Sequence, residues 1–158
     1  MQVFMKNNNE EFYWRSHCAI NIALETVGDK WSLLILRDLM FTAKRSYGEL
    51  QSSEEKIATN ILASRLLSLE VKGLIRKATD PENGRRSLYY LTEKGIDLLP
   101  VIIDFRIWAE KHDPSAEGCT QAIKLTEKNR TEVLTGFMKD LRTSHGVEAT
   151  RNLRPQKG

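Results

Sequence analysis

The stretch IATNILASRLLSLEVKGLI, residues 57–75, followed directly by RKATDPENGRRSLYYL, residues 76–91, decides the fold. Leu62, Leu66, Leu69 and Gly73 fall on one stripe at about 100° per residue, and Asn60, Ala63, Ser64 and Leu67 fall opposite. This predicts a helix over 57–72, apolar on one side and lined with small polar side chains on the other, with Gly73 as its C-terminal stop. Residues 74–79 and 87–91 read as strands joined through Asp80, Pro81, Glu82, Asn83 and Gly84, with Asn-Gly as the turn signal. A helix running straight into a basic hairpin is the plan of a winged helix-turn-helix.

Upstream, Ser46 and Glu49 have the spacing of a capping box, predicting a short helix over 46–52 after the basic pair Lys44 and Arg45. The polar residues 52–56 then form the turn. Ile20, Ala23, Leu24 and Val27 recur at three and four, predicting an amphipathic first helix over 18–27 closed by Gly28. Asp29 is placed to cap a second helix over 31–41, and Trp31, Leu33, Leu34, Ile35, Leu36 and Leu39 leave that helix little polar surface. It belongs in the middle of the molecule. Downstream, Thr92 caps a further helix through Leu98, Leu99, Val101, Ile102, Phe105 and Trp108, bent or broken at Pro100 and ended by Asp113 and Pro114. Val133, Leu134, Phe137, Met138 and Leu141 predict a last helix.

The expected class is mainly α with a small β-hairpin, a winged helix-turn-helix over 17–112 with additional N- and C-terminal dimerisation helices. An arm, 1–16, precedes it, polar at Asn7, Asn8 and Asn9, then aromatic at Phe12, Tyr13 and Trp14, ordered on the body but fraying at its start. A helical extension, 113–145, and a basic, apolar-poor tail, 146–158, expected to be disordered, follow.

A net charge of +3 in 158 residues is only mildly basic, so a nucleic-acid role must rest on where charges fall. No apolar run is long enough to span a bilayer and no secretory leader is visible, so a cytoplasmic location without membrane partners is expected. Cys18 and Cys119 lack disulfide-framework or ligand spacing, and His17, His112 and His145 are scattered. Neither a metal nor a cofactor is implied. With no nucleophile elbow, phosphate loop or paired carboxylates, an enzyme is not expected.

Base reading needs a helix slim enough for the major groove, with short polar side chains outward and cations nearby. Thr59, Asn60, Ser64 and Arg65 meet that requirement. Asn60 suits bidentate pairing with adenine, Thr59 and Ser64 suit bases or phosphates, and Arg65 suits phosphate or guanine at the flank. Arg85 and Arg86 put two cations at the hairpin tip, where no packing demands them, and Lys44, Arg45 and the helix start at Ser46 offer further phosphate contacts. Taken alone, the helix face reads equally as an ordinary amphipathic surface and a single wing arginine reads first as solvated turn charge; their combination points to double-stranded DNA.

The same residues carry a family resemblance. Cys18, then Gly28-Asp29-Lys30-Trp31, Tyr47-Gly48-Glu49-Leu50, Ile57-Ala58-Thr59-Asn60, Gly73-Leu74, Leu91-Thr92-Glu93-Lys94-Gly95 and Trp108 resemble the HxlR-type winged-helix transcriptional regulators over about sixty percent of the chain. The resemblance implies a DNA-binding homodimer held by the first helix and the helices after the wing. Leu67 departs from the polar residue expected at its position. Cys18, at a helix start beside His17 and Arg15, is a candidate redox thiol, with a packing cysteine as the alternative. Trp31, Phe105 and Trp108 line either a dimer interface, the preferred reading, or a small-molecule cavity. The rival from another class is a winged-helix protein-interaction module without specific DNA binding.

Overall fold

The structure is a computed structural model and describes residues 4–6, 10–12, 14–116 and 125–147. The chain runs β1 (Phe4–Lys6), β2 (Glu10–Phe12), α1 (Ala19–Val27), α2 (Lys30–Phe41), α3 (Tyr47–Gln51), α4 (Thr59–Val71), β3 (Ile75–Thr79), β4 (Ser87–Leu91), α5 (Glu93–Ile96), α6 (Leu99–His112) and α7 (Arg130–His145). Two separate antiparallel pairs, β1–β2 and β3–β4, are the only sheets among the described residues. The arm expected at the N-terminus therefore carries a hairpin, in which Phe4 pairs with Phe12 and Lys6 with Glu10.

Helix α2 is the central element, as its near-continuous apolar sequence requires. Leu36 and Leu39 are fully buried, and α4 packs across them through Leu62, Leu66 and Leu69. Each such leucine contributes about 1.5–3 kcal/mol from burial alone. Asp29 caps α2 by accepting from the Ser32 backbone N–H at 3.0 Å. At the end of α4, Gly73 takes φ of 71°, a left-handed value open to glycine without strain. The Gly73 and Leu74 N–H groups then donate to the carbonyls of Glu70 and Leu69, closing the helix and releasing the chain into β3.

Strand β3 pairs with β4 in the register Ile75↔Leu91 to Thr79↔Ser87. Residues 80–86 form the connection that the expected strand ends leave, and in it Asp80 N–H donates to the Arg86 carbonyl and Arg86 N–H to that of Asn83. Gly84 does not adopt the positive φ that a two-residue Asn-Gly turn needs. The helix expected over 57–72 begins two residues later, because Ile57 is spent as a buried plug ahead of it and Ala58 is the extended cap.

The helical stretch expected after Thr92, bent or broken at Pro100, is broken into α5 and α6. Thr92 caps α5 by accepting from Gly95 N–H at 3.2 Å, while its hydroxyl donates to the Gly73 carbonyl at 2.6 Å. Gly95 lies so close to the Leu74 carbonyl that a Cβ would overlap it, which accounts for the glycine of the Leu-Thr-Glu-Lys-Gly block. The break falls just before Pro100, in the first turn of α6, where a missing N–H costs nothing.

Helix α7 docks on this body. Phe137 stacks on Phe41 with ring centroids 5.4 Å apart, and Arg142 binds Glu93 of α5 through two nitrogens at 2.6 and 2.9 Å. Gly146, with φ of 67°, closes the helix in the exposed left-handed cap and Val147 is buried, so the first two residues of the expected tail are ordered. The remainder of the tail, 148–158, and Cys119 lie outside the described residues.

His145, with no exposed surface, is the innermost polar group of α7. Its Nδ1 accepts from the Leu91 backbone N–H at 2.7 Å. That fixed donor requires the proton on Nε2, which donates to the Leu39 carbonyl at 3.2 Å. The Arg76 guanidinium binds the His145 carbonyl at 2.7 Å, and the Arg45 guanidinium lies beside the ring. Burial first, and then the Arg45 cation, push the imidazole down to about 4. Because the unfolded histidine titrates near 6.5, the unfolded chain binds the extra proton between these values, and stability falls as pH drops through that window. From pH 7 to pH 5 the loss is on the order of 2 kcal/mol. Urea titrations at both pH values should show this loss in the wild type and a markedly smaller one in His145→Asn; equal losses would remove the assignment.

Candidate nucleic-acid interface

The outer face of α4 is set by its inner one. With Leu62, Leu66 and Leu69 turned to the core, Thr59, Asn60, Ala63, Ser64 and Leu67 are exposed. Among the described residues, the side chains of Thr59, Asn60 and Ser64 make no hydrogen bond within the chain. Arg65 lies at the flank, half-buried, 3.7 Å from Asp29 Oδ2. It steadies the start of α2 while keeping part of its guanidinium in water.

Helix α3 connects this face to the wing. The Tyr47 hydroxyl donates to the Thr59 carbonyl at 2.8 Å, fixing the beginning of α4 against α3. On its other side, the Glu49 carboxylate is ion-paired with Arg86 of the wing loop at 3.1 Å, and Ser46 forms an isolated bridge with Leu88. Arg86 also lies 3.7 Å from Asp80. Arg85 is exposed and its side chain is in no ion pair among the described residues; its backbone N–H donates to Asn83 Oδ1 at 3.2 Å. The two wing arginines are thus unlike: Arg86 ties the loop to α3, and Arg85 is presented outward.

Three expected contacts have intramolecular work instead. Lys44 Nζ donates to Ser53 Oγ at 2.8 Å and lies 3.3 Å from Asp38 Oδ2. The Asp38 carboxylate is buried, holding α2 to the turn before α4 with further bonds from Ser53 and Arg37. Arg45 donates to the carbonyls of Leu39 and Lys44, each at 2.9 Å, and its desolvated guanidinium is pushed below its ordinary pKa. Ser46 is buried as the N-cap of α3.

The phosphate position expected at that helix start is already filled by a carboxylate. Glu49 accepts from the backbone N–H groups of Ser46 at 2.8 Å and Arg45 at 3.0 Å, and from the Ser46 hydroxyl. These bonds hold its acid down to about 2, so it stays charged and repels an anion there. Exposed cations that motif reading did not single out are Lys56, just before α4, and Lys77 on β3. Their only signal in sequence was proximity to the predicted helix and wing.

Cys18 is the exposed N-cap of α1. Its thiol is held below the ordinary range by the backbone N–H groups of Asn21 and then Ile20. Arg15, expected to help, pairs with Glu25 at 2.8 Å. Of the three aromatic residues considered together, Trp31 packs against the core, whereas Phe105 and Trp108 of α6 are exposed. No group of side chains among the described residues is arranged to hold a metal.

A helix-turn-helix presenting a polar outer face beside a hairpin wing defines a winged-helix, DNA-binding class of protein. The model of the HxlR-like helix-turn-helix family matches residues 26–117, more than half of the chain. The protein belongs to that family and is a DNA-binding transcriptional regulator. It is similar to the HTH-type transcriptional regulator Rv3095 of Mycobacterium tuberculosis, 34% identical over 141 residues that cover 89% of this chain and 85% of that protein. It is also 33% identical to the HTH-type transcriptional regulator YodB of Bacillus subtilis over 100 residues, 63% of this chain and 88% of YodB. Among solved structures, PA1607 superimposes with a TM-score of 0.59 at 33% identity, covering 73% of this chain and 78% of that one. The reduced form of YodB gives a TM-score of 0.51 at 26% identity, covering 63% of this chain and 99% of that one. Helix α7 lies beyond the span matched by the family model.

Proposed function

We propose that the protein works as a homodimer on inverted-repeat operators, each subunit laying α4 in a major groove with its wing beside it. The observation that carries this reading is the outer face of α4, where Thr59, Asn60 and Ser64 are exposed and unbonded next to a wing that presents Arg85. Polar groups left uncommitted on a groove-sized helix are available to base edges, and an unpaired cation on the adjacent loop is available to phosphate. The helix centres in a two-fold dimer would lie about 34 Å apart, or a multiple of that.

The direct test selects operators from a random duplex library and measures affinity against salt. A selected inverted repeat bound no more tightly than random duplex at physiological salt would sink the specific-binding reading in favour of a protein-interaction module. With one phosphate contact per subunit, Arg85→Ala should flatten the slope of log affinity against log salt by about 1.8 for the dimer. Arg86→Ala should flatten it less, since Arg86 is engaged by Glu49 and Asp80.

The dimer reading rests on the apolar side chains left in water by α1 and α6: Ile20, Leu24, Val101, Phe105 and Trp108. Sedimentation should give a dimer for the wild type and a monomer for Phe105→Glu/Trp108→Glu, with operator affinity falling at least tenfold in the variant, an order-of-magnitude expectation for losing a second half-site. A wild-type monomer would overturn it.

The exposed, acid-shifted Cys18 thiol supports an oxidant-responsive form of the same function. In a Cys119→Ser background, diamide should change operator affinity, and the further change Cys18→Ser should abolish that response. An undiminished response would exclude Cys18 as the sensor.

A further inference from the structure

Leu67 is the one large side chain on the outer face of α4 to which the polar reading assigns no role. It is 63% exposed and is not among the partly buried hydrophobics that pack against the core. At 100° per residue it lies only about 20° from Asn60 and about 40° from Ala63 around the helix, so it stands in the middle of the outer face. Along the axis it is about 12 Å beyond Thr59, comparable with the width of a major groove. A single leucine in water is ordinary on any protein surface. Its position among Asn60, Ala63 and Ser64 is what selects its partner.

Any surface that covers Leu67 must also cover Asn60 and Ser64. A dry, apolar protein interface would strand both polar side chains at a cost. The floor of the major groove offers both kinds of contact within a few base pairs: donors and acceptors on base edges, and the 5-methyl group of a pyrimidine as the apolar element. The wing loop beside the same helix carries Arg85, the charge complement of a phosphate backbone.

The geometry points to Leu67, with the Ala63 methyl beside it, as the contact for a pyrimidine 5-methyl group, so that each half-site is read partly by an apolar contact at one thymine or 5-methylcytosine. This rests on α4 being the base-reading helix.

The test uses the full chain and the operator selected by the wild type, with thymines in one half-site position at a time, and its symmetry mate, replaced by uracil. Removing a buried methyl should weaken wild-type binding about fourfold per half-site, hence about fifteenfold for the symmetric pair. That loss should appear at one position, be absent in Leu67→Ala and be retained in Leu67→Met. Because the side chain is outside the core, both variants should unfold at the wild-type temperature. A second arm places cytosine or 5-methylcytosine at the sensitive position. Recovery by 5-methylcytosine shows that the methyl itself is read, whereas affinity that remains low with it confines recognition to thymine.

Uracil losses equal in wild type and Leu67→Ala would overturn the inference while leaving specific binding intact. Absence of any selected operator would instead overturn the reading on which it rests. A change in the sedimentation of Leu67→Ala would assign the leucine to contact between copies and also overturn it.

Discussion

The burial of Leu62, Leu66 and Leu69 against α2 is the constraint on which the rest depends. These side chains fix the rotation of α4 about its own axis, and a helix admits only one outer face once its inner one is chosen. The exposure of Asn60 and Ser64 is a consequence of leucine packing, not of any bond they make themselves. The same packing brings Gly73 to the point where the chain must reverse, and Gly73 with Leu74 sets where the wing begins. Recognition surface and hydrophobic core are therefore two sides of a single periodic pattern.

That pattern is why so much was legible beforehand. The caps at Asp29, Ser46 and Thr92 each sit where a short polar side chain precedes a helical repeat, and each accepts the backbone N–H its position implies. These are local signals, decided within three or four residues. The break before Pro100 belongs with them. The Asn-Gly signal marked the wing loop but not its closure, which Asp80 and Arg86 make across residues 80–86 while Gly84 keeps a negative φ.

The cations show the same division. Lys44, Arg45 and Arg86 look alike in sequence to Arg85, and nothing local says which will be consumed. Their partners, Asp38, the Leu39 carbonyl and Glu49, lie on elements that meet only in the folded molecule. A buried carbonyl at the end of α2 needs donors, and Arg45 and His145 supply them from opposite directions in the chain, one hundred residues apart. The exposure of Thr59, Asn60 and Ser64 was readable because it depends on periodicity, whereas the internal pairing of Lys44, Arg45 and Arg86 was not because it depends on tertiary contacts.

The docking of α7 has a further consequence for modularity. Cutting the polypeptide at residue 117, where the match to the family model ends, would strip the Leu91 amide of its acceptor, leave Glu93 without Arg142 and uncover Phe41. What looks like a self-contained reader with an optional appendix is one cooperative unit, and any chimera that borrows its binding head must carry the stretch 130–147 along with it.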